Sequence, residues 1–216
     1  MVQCPSCARQ VESSLTCPQC GSPIGADLDL FAALGLPRDL QIDTARLERV
    51  YHDLGRRIHP DRFASSPVKQ RDASLRATAL LTRAYRTLRD PFSRGLYALE
   101  LNGIKLAENN KAVPPDLAEL VFEVQEQLAD LNAARRQSDE AARDLNTAVA
   151  ARRCELQDKL NALMDDLNAL FGRIDLTDGS ARDALLGDLK MVLSNIAYMR
   201  TLLRDVAKEL DLTHAA

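Results

Sequence analysis

Two apolar seams in the second half of the chain limit its fold more than any other feature. Leu185, Leu189, Val192, Ile196, Met199, Leu203, Val206 and Leu210 follow one another at alternating steps of four and three. Leu156, Leu160, Leu163, Leu167, Leu170 and Ile174 do the same. That rhythm lays one apolar stripe along a helix and predicts near-antiparallel packing with coiled-coil geometry. Gly179, in LTDGS, supports a turn between the two helices. A third helix over about 116–134 completes a three-helix bundle. Two seams joined by a short turn satisfy each other, so a monomer is the simplest state, with a weak dimer as the alternative. No strand-like alternation of useful length occurs, and the fold class expected is all-α.

The composition changes along the chain and divides it into 1–26, 27–103, 104–115 and 116–216. The third of these is a linker marked by breakers at its edges, Asn102-Gly103 and Pro114-Pro115. In the second, a helix is expected over about 43–58 with Asp43 or Thr44 as its cap. Leu47, Val50, Tyr51, Leu54 and Ile58 form its apolar face, and Arg46, Arg49, Arg56 and Arg57 its charged one. A second helix, about 67–89, buries Ala73, Ala77, Leu80, Leu81, Ala84 and Leu88 and stops at Asp90-Pro91. Two such helices pack as an antiparallel hairpin. The loop RIHPDRFASS, with His59, Pro60 and Asp61, is then held out at the tip.

The first 26 residues cannot bury a core of their own. They carry Cys4-Pro5-Ser6-Cys7 and Cys17-Pro18-Gln19-Cys20-Gly21, two C-x-x-C turns separated by nine residues. Four thiolates from two such turns surround one ion tetrahedrally, and soft sulfur donors suit zinc. A closed shell of Cys4, Cys7, Cys17 and Cys20 leaves no open coordination position, so one structural zinc ion is expected, supplying the folding energy of the segment. An iron site or a redox dithiol pair are the alternatives. Cys154 lies apart, as an incidental thiol.

The net charge of -3 hides an asymmetry, because 27–101 is net basic and 102–216 net acidic. A basic first half favours an acidic partner. Nucleic acid is not expected, since the basic residues are not interleaved with aromatics. No apolar run reaches the length of a membrane span, and no secretory or transit pattern opens the sequence, so the cytoplasm is the expected location. No phosphate-cradling glycine loop, nucleophile elbow or H-E-x-x-H motif occurs. Asp165-Asp166 points two ways on a helix, His52 is a surface residue and His214 belongs to the tail. The chain is expected not to be an enzyme.

The order LFAALGLP, arginine-bearing helix, IHPDRF, second helix, AYRTLRDP and SRGLYALELNG closely resembles a J-domain. HPDRFA, LRDPFSRGLYALELNG with Tyr97, and the acidic helical bundle that follows resemble the HscB-type co-chaperones of iron–sulfur cluster assembly. Residues 4–20 resemble the N-terminal cysteine extension of some members. Ile58 stands where the family more often has Tyr, but it continues the apolar stripe. The resemblance implies docking on a DnaK/HscA-type heat-shock ATPase through His59, Pro60, Asp61, Arg46, Arg49, Arg56, Arg57 and Arg62. It also implies a grip of the bundle on the scaffold protein IscU, at positions matching Phe122, Glu123, Glu126 and Tyr198. A general J-domain co-chaperone with another client, and a metal-binding redox protein, are the competing readings.

Overall fold

Apolar stripes position the long helices, and a side-chain cap begins those that start at Thr44 and Asp139. The computed structural model describes residues 1–12, 14–106 and 113–211, so part of the expected linker, and His214, lie outside the described residues. The chain separates into two units, Met1–Ala98 and Leu99–Ala216.

In the first unit, a two-residue antiparallel ribbon, β1 (Val2–Gln3) with β2 (Gln10–Val11), opens the chain. It is too short to show as alternation in the sequence. A single turn of helix, α1 (Leu30–Ala33), follows, with Asp29 accepting the Ala32 N–H at 2.8 Å. Helix α2 (Thr44–Ile58) is capped by Asp43, whose carboxylate accepts from the Ala45 and Arg46 N–H groups. Leu47 and Ile58 are fully buried, a stabilisation of about 1.5–3 kcal/mol each. Helix α3 (Val68–Arg89) runs back along α2. Its expected stripe is buried at Ala73, Ala77, Leu81, Ala84 and Leu88, and the Tyr51 and Tyr85 rings stack across the hairpin at 4.2 Å.

Asp90-Pro91 both stops α3 and starts α4 (Pro91–Leu101), a helix the sequence reading did not separate. Asp90 Oδ2 accepts the Ser93 N–H and hydroxyl at 2.9 and 2.6 Å, and Pro91 occupies a first-turn position that needs no N–H. Tyr97 on α4 accepts the Leu30 N–H at 3.0 Å in a buried setting, so one phenol satisfies an orphan amide at the start of α1. Tyr97→Phe should therefore lower stability by about 1–2 kcal/mol. A thermal melt would show it as a drop of several degrees, and an unchanged melting temperature would mean that the bond contributes nothing.

The second unit is the expected three-helix bundle. A 3-10 turn (Pro115–Leu117) leads into α5 (Ala118–Arg135), followed by α6 (Asp139–Asp175) and α7 (Gly179–Asp211). Gly179 has φ 63°, which explains why a glycine stands at that turn. Val121, Val124, Leu131, Leu156, Met199 and Val206 are buried in one cluster. Arg135 closes one end of the bundle. Its guanidinium donates to the Glu209 carbonyl on α7 at 2.8 Å and to Asn146 Oδ1 on α6 at 3.0 Å.

Candidate functional sites

Residues of the loop at the hairpin tip bond to one another and to the end of α2. His59 leaves α2 with φ -56° and ψ 133°. Its Nδ1 accepts the Asp61 N–H at 3.3 Å and so caps the 3-10 turn Pro60–Phe63. Asp61 Oδ2 lies 3.5 Å from the same nitrogen. The Asp61 side chain is 89% exposed and free to meet a cation. Pro60 fixes φ at the first position of the turn. Arg62 Nη1 turns back to the Arg56 carbonyl at 3.3 Å, one of the carbonyls a helix end leaves open.

The five expected arginines, Arg46, Arg49, Arg56, Arg57 and Arg62, are all exposed. The structure divides them. Arg56 and Arg62 line one groove with Tyr51, His52, Gly55 and His59, and Arg56 also pairs with Asp53. Arg57 lines a separate cleft with Ser14 and Leu15 of the cysteine segment. Arg46 and Arg49 have no ion-pair partner among the described residues.

The two cysteine turns are near copies of each other. Cys4 N–H donates to Arg9 O and Ala8 N–H to Cys4 O; Cys17 N–H donates to Ser22 O and Gly21 N–H to Cys17 O. This brings the four Sγ atoms within 4.8 Å of one another. Cys4–Cys20 and Cys7–Cys17 are 3.6 and 3.7 Å apart, too long for disulfides. They match the roughly 3.8 Å edge of a tetrahedron built on metal–sulfur bonds of about 2.3 Å. The Cys20 N–H, with the Gln19 N–H and the Cys7 and Cys20 thiols, outweighs desolvation and draws the Cys17 thiol down to about 6. The Arg9 N–H pulls on Cys7 too, but the surrounding protein and three neighbouring thiols push it up to about 11. The group thus fits a metal ion that takes the place of thiol protons.

The two copies differ at one strained position. Ala8 has φ 59° where its counterpart Gly21 has φ 70°. A side chain there costs about 1–2 kcal/mol, offset in part by the greater unfolded freedom of glycine. Ala8→Gly should therefore make the metal harder to strip, read as a higher chelator concentration for half-release. Easier release would show that Ala8 is not strained.

On α5, Phe122 is 69% exposed. It shares a stripe with Glu126, which is also exposed and has no ion-pair partner among the described residues. Glu123 lies on the next stripe and is engaged. Arg152 of α6 sits 3.5 Å from its carboxylate, donates to Gln127 Oε1 at 3.1 Å and pairs with Glu155 at 3.0 Å. Tyr198, the other aromatic of the expected client contact, is half-buried against the bundle core. Sequence reasoning missed Arg152, and also Ser74, whose hydroxyl reaches the carbonyl of Ile58. Neither lies in a motif. His52 and Cys154 are exposed, as expected.

Comparison with known proteins fits this geometry. No family model matches the chain. It is 31% identical over 183 residues to the co-chaperone protein HscB homologue of Ralstonia nicotianae, a match covering 84% of this chain and 93% of that one. It is also 31% identical over 157 residues to the human iron–sulfur cluster co-chaperone protein HscB, covering 71% of this chain and 65% of the human one. The crystal structure of human HscB superposes with a TM-score of 0.60 at 24% identity, over 99% of this chain and 98% of that one. HscB from Vibrio cholerae gives 0.59 at 24% identity, over 85% and 99%. The all-α fold, the hairpin with its His59-Pro60-Asp61 tip and the relatives agree: the chain belongs to the HscB family of co-chaperones, with a four-cysteine group able to hold a metal ion ahead of the J-domain hairpin.

Proposed function

We propose that this protein docks on a DnaK/HscA-type heat-shock chaperone through the His59-Pro60-Asp61 loop, stimulates ATP hydrolysis there, and delivers an IscU-type iron–sulfur scaffold protein held by its bundle. The observation that carries this reading is the capped turn at the hairpin tip, which presents an exposed Asp61 carboxylate between His59 and Arg62, two residues that line a groove with Arg56. A carboxylate so placed suits a charge-assisted contact with a partner arginine. Arg46, Arg49 and Arg57 extend the positive field along α2 and speed encounter with an acidic surface. Residues 27–103 form the chaperone-contacting portion, and 116–216 the client-holding one.

On the bundle, exposed Phe122 supplies an apolar anchor and Glu126 a free charge, with Glu123 and Tyr198 at the margins of the same contact. Cys4, Cys7, Cys17 and Cys20 hold one structural zinc ion, because a shell of four sulfurs leaves no position for a substrate. Unbridged thiols in such a cluster suit a reducing compartment such as the cytoplasm. Among the described residues no helix is long and apolar enough to cross a membrane.

The test is a steady-state ATPase assay of a DnaK/HscA-type chaperone with this protein, with and without the scaffold protein. Stimulation that rises further with the scaffold supports both halves of the reading. Stimulation unaffected by the scaffold, with no binding of the scaffold to this protein, would point to a different client. No stimulation at all would remove the co-chaperone reading of the loop.

A further inference from the structure

We infer that Ser74, inside α3, is a positioning residue for the His59–Asp61 loop, holding the carbonyl just ahead of it so that the loop is presented in one conformation. Ser74 is fully buried, one of few polar side chains in that state. Its hydroxyl donates to the Ile58 carbonyl at 2.6 Å. Ile58 is itself fully buried and is the last residue of α2, where helix carbonyls lose their amide partners. The neighbouring backbone bonds go elsewhere: the Arg62 N–H to His59 and the Ala64 N–H to Asp61. The Ile58 carbonyl therefore depends on α3. Thr78, one turn beyond Ser74, reaches the same oxygen at 3.4 Å. Two hydroxyls from one helix face thus fix the point where the chain leaves α2 and turns into the loop.

The chemistry separates this role from plain stabilisation. Replacing a helical serine by alanine improves helix propensity, which offsets part of the lost hydrogen bond, and Thr78 still reaches the same oxygen. The exit of the loop loses its fixed point, and the docking-competent conformation becomes a fraction of the population. Apparent affinity for the chaperone falls by that fraction, while the rate at saturation does not.

The inference rests on the reading of the loop as the chaperone contact. The test uses the full chain with a DnaK/HscA-type chaperone, comparing wild type, Ser74→Ala and Ser74→Ala with Thr78→Val. The half-saturating concentration in the ATPase assay should rise about three- to tenfold in the single variant and further in the double. Maximal stimulation should be retained. Amide hydrogen exchange should quicken at 59–63 and stay unchanged in the middle of α2 and α3. An unaltered half-saturation in the double variant, or exchange accelerated evenly along both helices, would overturn the inference. If the wild type gives no stimulation, the parent reading fails, and the exchange pattern still decides whether Ser74 holds the loop.

Discussion

His59→Gln is expected to bring ATPase stimulation down to the unassisted rate of the chaperone, with the fold intact. The side chain is 55% exposed and packs into no core, so its removal leaves the hairpin as it is. The imidazole Nδ1 is held at a fixed short reach from the Asp61 N–H, and glutamine presents its oxygen on a longer, freer chain. The turn then loses its cap and Asp61 its aim. Asp61→Asn should have a comparable effect by another route, because it keeps the turn but removes the charge. A hydrogen bond to a charged group is worth about 1.5–3 kcal/mol, or roughly one to two orders of magnitude in apparent affinity. The measurement is stimulated rate against co-chaperone concentration, with circular dichroism as the check on folding. Full stimulation by a folded His59→Gln protein would remove the loop from the mechanism.

Cys17→Ser should cost the protein its metal and with it the structure of the first 26 residues. Cys17 is buried at 1% exposure, and the Cys20 N–H draws its thiol down to about 6. The segment has little else to hold it: a two-residue ribbon and a small cluster of Cys4, Val11, Cys17 and Ile24. Structural zinc supplies on the order of 10–16 kcal/mol to folds of this size near neutral pH, far more than that cluster can. Elemental analysis should fall from about one metal ion per chain to nearly none, while the helical signal of the rest persists. Cys154→Ser, which changes an exposed thiol outside the group, should leave metal content unchanged. Full metal retention by Cys17→Ser would mean that the four sulfurs do not act together.

The reach of the sequence follows from how local each feature is. Asp43 and the stripe from Leu47 to Ile58 lie within one helix, so α2 could be placed with its cap. The four-three rhythm of Leu185 to Leu210 marks α7 equally well. The two cysteine turns could be paired because metal geometry allows little else. What escaped depends on partners far away in sequence. Ser74 is an unremarkable helical serine until α3 is laid against the end of α2. Arg152 looks like any surface cation until α6 brings it to Glu123. Tyr198 lies off the seam by periodicity, yet it is half-buried against the bundle core. Helix α6 begins at Asp139, well before the seam at Leu156, because Ala142, Leu145 and Val149 suffice to bury that stretch against its neighbours.

The guanidinium of Arg152 also alters how the acidic face of the bundle is to be counted. Glu123, Arg152 and Glu155 together amount to one negative charge spread over two helices. A lysine or arginine on an approaching protein therefore experiences a weaker field there than the tally of carboxylates implies. Ionic strength should weaken that attraction less than a count of carboxylates suggests, since the Arg152 guanidinium already compensates one of them. In the proposed client contact, the fit of an apolar surface around the exposed Phe122 then counts for more than charge number.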